Sequence, residues 1–465
     1  MGEMRPWTAI AAAALTVGLG CGTDDPTTTP TDGGSDGSTT DAQTNSDGST
    51  SDGSTTDGGI PSSPACAPLP APPGNAVSVA TVAALRTALQ NASANATILV
   101  EDGTYTFAVD EYVYIDKPGV TLRGKSGDAT KVVFDANYAQ GFGQSIVNVA
   151  ASDVTVADLT VRRAYDHPIH VIPAFTNPKP ITGVKIYRVA IEDPGQQGIK
   201  VNPDEPGFTN TEDSGLIACS RITLTSAGRA KIRDNCYTGG IDIHAARGWT
   251  IRDNWIEGFW CPAGLSEHGI HCWKGCRDTI VERNVLANDA RGIGLGLGDA
   301  TQGRVYNDNP CAGVTNYGSV GGVVRNNFVV ANDAALLSSA AGFDVGISLE
   351  KGCGGTNVVH NTVFSTQAPK GSSIEWRFLG TNPVVTNNLS SHAQKARDQA
   401  VATEAGNVAT ATAAFFVSPS NADLHLQSTA SAAIDKGAAV PQGICDGDID
   451  GASRPAARDV GADER

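Results

Sequence analysis

Short runs of alternating apolar and polar residues recur through most of the chain. One recurring run reads WTIRDNWIEG, DTIVERNVLAND, GGVVRNNFVVAND, TNVVHNTVFS and NPVVTNNLSS. Because successive side chains of a strand point to opposite faces, each run predicts a strand with one buried face. The runs share an asparagine column formed by Asn254, Asn284, Asn327 and Asn388, with Thr362 in that place in one run. Inward asparagines stacked at a turn are expected to hydrogen-bond from one repeat to the next.

A second, glycine-led run lies between these strands and reads HPIHVI, QGIKVN, GGIDIH, HGIHCW, RGIGLG, VGISLE and SSIEWR. Two strand types that alternate along a chain predict a solenoid of stacked β-coils, in which each coil buries its inward residues against its neighbours. Ahead of the coils, VATVAALRTALQNA has the spacing of a helix and would cover the open end of the core.

The asparagine column and the opening segment TILVEDGTYTF at 97–107 resemble the right-handed parallel β-helix of the pectate-lyase-like superfamily. The resemblance spans residues 75–465 and implies an all-β domain with an N-terminal capping helix. The closing segment, AIDKGAAVPQGICDGDIDGASRPAARDVGADE, is similar to the last coil of many exported β-helix proteins. The fold hosts lyases, hydrolases, epimerases and non-catalytic surface proteins, so it does not by itself fix an activity.

The residues before the β-helix predict export. Arg5, an apolar run over 9–19 and small residues predict a signal peptide over 1–20. The sequence GLGC resembles a bacterial lipobox with Cys21 as the acylated residue, and cleavage by an ordinary signal peptidase is the alternative. Residues 21–64 are rich in Gly, Ser, Thr and Asp and predict a disordered tether. We therefore expect a cell-surface or outer-membrane lipoprotein anchored in the membrane through Cys21, or otherwise a secreted protein.

The net charge bears on the expected partners, and the number of cysteines bears on the expected disulfides. The formal net charge of −16, without a basic cluster, speaks against a nucleic-acid partner. Apart from Cys21, nine of the ten cysteines remain, so at least one thiol is unpaired. We expect a monomer with structural disulfides. The expected near pairs are Cys219 with Cys236, Cys261 with Cys272 or Cys276, and Cys311 with Cys353.

The glycine-led strands carry the candidate chemistry. Aligned on their isoleucines, the first outward position reads His170, Lys200, Asp242, His271, Gly294, Ser348 and Glu375, and the next reads Ile172, Asn202, His244, Trp273, Gly296, Glu350 and Arg377. Strands ~4.8 Å apart would align these residues in a strip about 30 Å long, which suits a chain-like ligand such as a polysaccharide. The catalytic candidates are Lys200, Asp242, His244, His271, Glu350, Glu375 and Arg377, and the substrate-binding candidates are His170, Asn202 and Trp273. We expect His167, His268 and Lys274 at turns or on the surface.

A lyase acting on a uronic-acid-containing polysaccharide is the function that the strip favours. Elimination needs a base for the proton α to a carboxylate, a cation that neutralises the carboxylate and an acid for the leaving oxygen. Candidate bases are Lys200, His244 and His271, and Arg377 or calcium is the candidate cation. The residue types of the strip are similar to those of chondroitinase B and the related alginate lyases. This resemblance implies a lysine that acts as the base, an arginine that acts as the acid, and a calcium ion held by acidic and amide side chains. Lys200, Asn202, Glu350, Glu375 and Arg377 supply those types.

Other functions fit the same residues. In a glycoside hydrolase, Asp242 with Glu350 or Glu375 would flank the scissile bond. In a carbohydrate-binding or adhesin-like surface protein, Trp273 would stack on a sugar ring without chemistry. The structural alternative is that charges pair between coils, as Glu375 and Arg377 would.

Two acidic segments are candidates for calcium. CDGDIDGASRP places Asp446, Asp448 and Asp450 at alternate positions, as in the first half of a calcium loop. Ala457 stands where the closing glutamate is expected, and a plain Asp/Gly turn is the alternative. The loop NPDEPGFTNTED at 202–213 is expected to form a groove wall or to hold calcium.

The lipid anchor predicts a simple separation of membrane binding from folding. Because the tether separates Cys21 from the β-helix, Cys21→Ser should release the protein from membranes without changing its melting temperature. Membrane fractionation measures the first effect and circular dichroism the second. Unchanged membrane partitioning of the serine variant would exclude the anchor.

Overall fold

The computed structural model describes residues 66–140, 145–298, 302–314 and 316–465. They form a right-handed parallel β-helix, which confirms the predicted fold class. A full coil contributes one strand to each of three long parallel sheets, named A, B and C. The predicted signal peptide, Cys21 and the tether lie outside the described residues. Within the described residues, no helix is long and apolar enough to cross a membrane.

The strands are numbered in chain order. Sheet A contains β1 (Val77–Val79), β2 (Thr97–Val100), β5 (Thr121–Gly124), β8 (Thr155–Ala157), β12 (Lys185–Tyr187), β16 (Leu216–Ala218), β19 (Thr250–Arg252), β23 (Ile280–Glu282), β27 (Val323–Arg325), β31 (Asn357–Val359), β34 (Val384–Thr386) and β37 (Thr403–Ala405). Sheet B contains β3 (Gly103–Thr106), β6 (Val132–Asp135), β9 (Thr160–Arg162), β13 (Ala190–Glu192), β17 (Arg221–Thr223), β20 (Trp255–Glu257), β24 (Val285–Ala287), β28 (Phe328–Ala331), β32 (Thr362–Ser365) and β35 (Leu389–Ser390). Sheet C contains β4 (Val113–Ile115), β7 (Ser145–Val149), β10 (His167–Val171), β14 (Gln197–Val201), β18 (Gly239–His244), β21 (His268–Trp273), β25 (Arg291–Leu295), β29 (Val345–Glu350), β33 (Ser372–Arg377) and β36 (Gln394–Arg397).

Shorter elements decorate the coils. Small parallel sheets join β11 (Ile181–Thr182) to β15 (Glu212–Asp213), and β22 (Cys276–Arg277) to β26 (Ser319–Val320) and β30 (Gly352–Cys353). The helices are α1 (Val82–Gln90), α2 (Ser226–Arg229) and α3 (Ala334–Leu337). Near the C-terminus, β38 (Phe416–Ser418) pairs antiparallel with β39 (Asp423–Leu426).

Inward isoleucines set the register of sheet C. Ile199 pairs with Ile241, Ile241 pairs with Ile270, and all three are fully buried. The preceding glycine comes too close to its neighbours for a side chain. A Cβ on Gly240 would lie 2.4 Å from the carbonyl oxygen of Gly269, which explains why these runs are glycine-led.

An asparagine ladder runs through the turns between sheets A and B. Each turn has a residue with a left-handed backbone, such as Asp253 (φ 56°), followed by an inward residue. At Asn284, Oδ1 accepts hydrogen bonds from the backbone N–H and Nδ2 of Asn254, at 3.1 and 2.9 Å. Its Nδ2 donates to the carbonyl of Ile251 at 2.9 Å and to Oδ1 of Asn327 at 3.0 Å. The predicted ladder is therefore confirmed.

One position of the predicted column was wrong. Val324 pairs with Val358, so the residue opposite Asn327 is Asn361, whereas Thr362 begins β32. Oδ1 of Asn361 accepts from Nδ2 of Asn327 at 2.9 Å, and its Nδ2 donates to Oδ1 of Asn388 at 3.0 Å. The ladder therefore continues without a break through this coil.

The two ends of the core are covered differently. At the N-terminal end, the hydroxyl of the N-cap Thr81 accepts the Ala84 N–H at 3.1 Å, and α1 buries Leu85 and Leu89 in the core. At the other end the closing segment forms turns and one isolated antiparallel bridge, between Gly447 and Ser453, instead of the predicted last coil. The preceding strands β38 and β39 pair antiparallel with each other. Their apolar residues pack instead on the outer face of sheet B, in a cluster that includes Phe328, Phe364, Leu389, Phe416, Leu424, Leu426 and Val460.

Disulfides join parts of the chain that the sequence does not place together. The bonds are Cys66–Cys219, Cys236–Cys261, Cys272–Cys276 and Cys311–Cys353, and Cys445 is a buried free thiol. The predicted Cys311–Cys353 pair is confirmed. The other two predictions were wrong. Cys219, at a turn of the β-helix, pairs with Cys66, which is 153 residues away in sequence, and Cys236 is therefore left to pair with Cys261. Four disulfides indicate an extracellular or secreted protein.

The ladder makes a prediction about stability. Asn284→Ala leaves several buried polar groups unsatisfied, each costing roughly 1–3 kcal/mol, so we expect a loss of about 3 kcal/mol or more. The matched control is Asn357→Ala on the outer face of sheet A, which should change stability by less than ~0.5 kcal/mol. Urea unfolding measures both, and equal losses would contradict the ladder. Asn288, also outside the column, is not a neutral control, because its Oδ1 accepts the backbone N–H groups of Asn332 and Asp333.

Candidate active site

Sheet C places the predicted strip residues in adjacent columns that point away from the core. Backbone pairing joins His170 to Lys200, Lys200 to Asp242, Asp242 to His271, His244 to Trp273, and Glu350 to Arg377. Neighbouring side chains and loops cover most of them, so that Asp242 is 1% exposed and His271 0%. The strip therefore consists of buried polar networks rather than an exposed charged surface.

Lys200 is the centre of the densest network. Its ammonium donates to Oδ2 of Asp242, to the hydroxyl of Tyr237 at 3.1 Å and to Nε2 of His244 at 2.9 Å. An ammonium group has three N–H bonds, so all of them are used. Burial disfavours the charge, yet the Asp242 carboxylate keeps the pKa of Lys200 above its usual range. A lysine held protonated in this way is not available as the base.

His244 forms a dyad with a glutamate from loop 202–213. Nε2 of His244 lies 2.9 Å from the Lys200 ammonium and 3.2 Å from Oδ2 of Asp242. Because an ammonium group can only donate and lies nearer, we assign Nε2 as the acceptor and place the ring proton on Nδ1, which donates to Oε1 of Glu205 at 2.7 Å. Lys274 donates to the other oxygen of Glu205. Burial would raise the pKa of Glu205, but hydrogen bonds from His244 and Lys274 hold it at about 2. Loop 202–213 therefore reaches the outward residues of sheet C, and an ionised carboxylate orients the imidazole.

Aromatic side chains form the solvent side of the network. Trp273 is partly exposed, donates from Nε1 to Oδ1 of Asp242 at 2.9 Å, and meets the His244 ring edge-on at 4.7 Å between centroids. Tyr237 is also partly exposed and lies next to Cys236, whose disulfide to Cys261 fixes the loop. Burial raises the pKa of Tyr237 to about 12 despite the neighbouring ammonium. The Tyr237 hydroxyl is thus held in its protonated form.

His268 and His271 are buried and do not reach the solvent side of sheet C. His268 was predicted at a turn, but it begins β21, is 2% exposed and contacts the hydroxyl of Ser348 through Nε2 at 3.1 Å. His271 is covered completely, so it has no surface for a substrate. The space above Gly294 is filled by the His268 ring, 2.6 Å from where a Cβ would lie. Gly294 therefore accommodates a neighbouring side chain rather than a ligand.

The other predicted binding residues flank the network. Nε2 of His170 donates to Oδ1 of Asn202 at 2.6 Å, and burial lowers the pKa of His170 to about 4, so its ring is neutral. His167, expected at a turn, is buried in β10 beside it, with ring centroids 5.2 Å apart. Asn202 is partly exposed and remains a candidate for sugar contact.

A second cluster lies at the C-terminal end of the strip. Arg377 contacts Glu350 at 3.5 Å, Glu375 at 3.9 Å and Asp398 at 2.7 Å, and Arg397 binds Glu375 at 3.1 Å. Burial raises the pKa of Glu350 in spite of Arg377. Glu350 is three strands from Asp242, about 14 Å at ~4.8 Å per strand. That separation exceeds the roughly 5–9.5 Å that a hydrolase pair needs, so Asp242 and Glu350 do not form one.

The predicted calcium ligands are engaged separately. Asp446 accepts the Gly443 N–H, Asp448 accepts the N–H groups of Asp450 and Ala452, and Asp450 lies 3.1 Å from Nε2 of His425. The first two contacts are those of an Asp/Gly turn. The three carboxylates do not converge on one point, so the geometry gives this calcium site no support.

Comparison with known proteins identifies the fold. Neither a protein-family model nor a curated protein matches the chain. Among solved structures, pectate lyase Pel9A is 15% identical with a TM-score of 0.53, covering 82% of this chain and 90% of that chain. An alginate lyase from Paenibacillus sp. str. FPU-7 is 16% identical (TM-score 0.47; 72% and 98% covered), and a polygalacturonase from Erwinia carotovora ssp. carotovora is 12% identical (0.39; 74% and 96%). At such identities the likeness to Pel9A establishes the parallel β-helix fold alone.

Three residues of the site were not found from the sequence. Glu205 lies in the loop that follows β14, and Tyr237 lies between α2 and β18. Both reach the network only because the chain folds back over sheet C. Glu267 immediately precedes β21 and contacts Nδ1 of His271 at 3.1 Å. The available signals were local: a tyrosine next to a cysteine, and acidic residues flanking a glycine-led strand.

The Lys200–Asp242 pair predicts strong energetic coupling. Lys200→Met leaves a buried carboxylate unpaired and should destabilise the fold by roughly 3–5 kcal/mol. The double variant Lys200→Met/Asp242→Asn should recover at least ~2 kcal/mol of that loss, as denaturant unfolding in a double-mutant cycle would show. The control is Lys185→Met, a partly exposed lysine of sheet A, with an expected change below ~0.5 kcal/mol. Additive losses would contradict a coupled buried pair.

Proposed function

We propose that the chain is an exported, lipid-anchored enzyme that cleaves a uronic-acid-containing polysaccharide by β-elimination on the outer face of sheet C. The observation that carries the proposal is the buried network of Lys200, Asp242, His244 and Tyr237 beside the partly exposed Trp273. Buried charges with strongly shifted pKa values are expensive and cluster at functional sites. The shared fold with pectate lyase Pel9A supports this substrate class.

The network supplies each part that elimination requires. A uronate carboxylate that replaces His244 as the third acceptor of the Lys200 ammonium is neutralised, and the Nε2 lone pair of His244 becomes free. His244, oriented by Glu205, then takes the proton α to the carboxylate. The C–H electron pair forms the new double bond, and the bond to the leaving oxygen breaks. Tyr237 donates its proton to that oxygen, and Trp273 positions the ring by stacking.

Product analysis on uronic-acid and neutral polysaccharides tests the reaction class. Elimination yields new reducing ends together with the ultraviolet absorbance of an unsaturated product. Reducing ends without that absorbance would indicate hydrolysis and overturn the proposal. Binding without either product would favour a non-catalytic carbohydrate-binding surface protein.

Substitutions test the assigned roles. His244→Gln and Tyr237→Phe should each lower kcat by ~10²–10⁴-fold, the usual contribution of a general base or acid. Trp273→Ala should mainly raise KM. The matched control is His392→Gln, a partly exposed histidine outside the network, which should keep full activity. Full activity of His244→Gln in a folded protein would contradict its role as the base.

A further inference from the structure

Three unsatisfied side-chain atoms converge beside β21, outside the network proposed for catalysis. They are Oε2 of Glu267, Nδ1 of His268 and Nδ1 of His271, and each is buried without a hydrogen-bond partner. Oε2 of Glu267 lies 3.1 Å from Nδ1 of His271 and 3.9 Å from Nδ1 of His268. All three lie within 4.8 Å of one another. Buried polar atoms rarely remain unpaired, so this convergence calls for a ligand.

From these atoms we propose that Glu267, His268 and His271 bind a divalent transition-metal ion of the zinc type. Two imidazole nitrogens and a carboxylate oxygen are a donor set that zinc accepts. Tetrahedral bonds of ~2.0 Å place neighbouring ligand atoms about 3.3 Å apart, between the two observed separations. Three protein ligands leave a fourth position for water or another ligand.

The opposite side of each imidazole is arranged as a metal site requires. Nε2 of His271 donates to the backbone carbonyl of Gly296 at 3.1 Å, so that the neutral ring carries its proton on Nε2 and presents the Nδ1 lone pair towards Glu267. Nε2 of His268 contacts the Ser348 hydroxyl at 3.1 Å. A second hydrogen bond of this kind fixes the tautomer and orientation of metal-binding histidines.

The neighbourhood also favours a cation. Oδ1 of Asp242 lies 3.7 Å from Nδ1 of His271, so two carboxylates face this space. Glu267 is partly exposed, whereas the two histidines are buried, so Glu267 is the ligand through which the cluster meets solvent.

In a second histidine cluster, around His425, both ring nitrogens have hydrogen-bond partners within the protein. Nδ1 of His425 lies 2.6 Å from Asp423 and Nε2 lies 3.1 Å from Asp450, so both ring nitrogens donate to carboxylates. These partners raise the pKa of His425 to about 10 against the effect of burial. Because His425 presents no free lone pair, it serves as the matched control.

Metal titration of the full chain tests the site. After chelator treatment and dialysis, calorimetric titration with Zn²⁺ should show one ion bound per chain. His268→Gln should weaken the affinity at least ~100-fold, since even an outer-shell loss costs 10–100-fold, and His425→Gln should leave it unchanged. Absence of saturable 1:1 binding, or unchanged affinity in His268→Gln, would overturn the proposal.

A second variant tests the site if His268→Gln misfolds, and a spectroscopic measurement identifies the atoms that bind the metal. If circular dichroism shows that His268→Gln does not fold, Glu267→Gln at the partly exposed ligand replaces it, with at least a tenfold loss expected. X-ray absorption of the zinc-loaded wild-type protein should show nitrogen and oxygen neighbours with imidazole scattering. Sulfur neighbours would point to a cysteine, such as the free thiol of Cys445, and would overturn the assignment.

Discussion

The structure depends on the register of parallel pairing between coils. In sheet C one isoleucine of each glycine-led strand lies beside the aligned isoleucine of the next coil, from Ile169 to Ile374. A slip of one residue would turn that column outward and bring the polar column into the core. The asparagine ladder enforces the same register at the turns. Residues 23 to 54 positions apart in the chain therefore become neighbours on one face.

The same register brings charged side chains together in buried positions, where an ionised group is unfavourable. Lys200 and Asp242 lie on adjacent strands and are almost fully buried. Replacing such a pair by apolar residues is often neutral or stabilising, so stability alone does not explain its presence. The third N–H of Lys200 donates to His244, and Glu205 of loop 202–213 orients the imidazole. A stability role needs only the pair, whereas proton transfer needs the histidine and its carboxylate.

Sequence periodicity was enough to predict the fold and the order of the outward residues, because both follow from alternation and from the alignment of repeats. It was not enough to predict burial. His271 and Asp242 point outward as expected but are covered by residues of loops and neighbouring coils, whose paths depend on tertiary packing. Glu205, Tyr237 and the Cys66–Cys219 bond escaped prediction for the same reason. Asn361 was missed through a shift of one residue in a run with adjacent polar residues.

The proposed elimination mechanism depends on the protonation states of His244 and its neighbours. Lys200 remains an ammonium, Nε2 of His244 accepts from it, and Nδ1–H is directed to Glu205. Nitrogen-15 NMR of the histidine-labelled protein at neutral pH measures this directly, with His244 assigned among the eight histidines by the missing signals of His244→Gln. We expect a protonated Nδ1 and an unprotonated Nε2. A proton on Nε2, in the other tautomer or in an imidazolium, would contradict it.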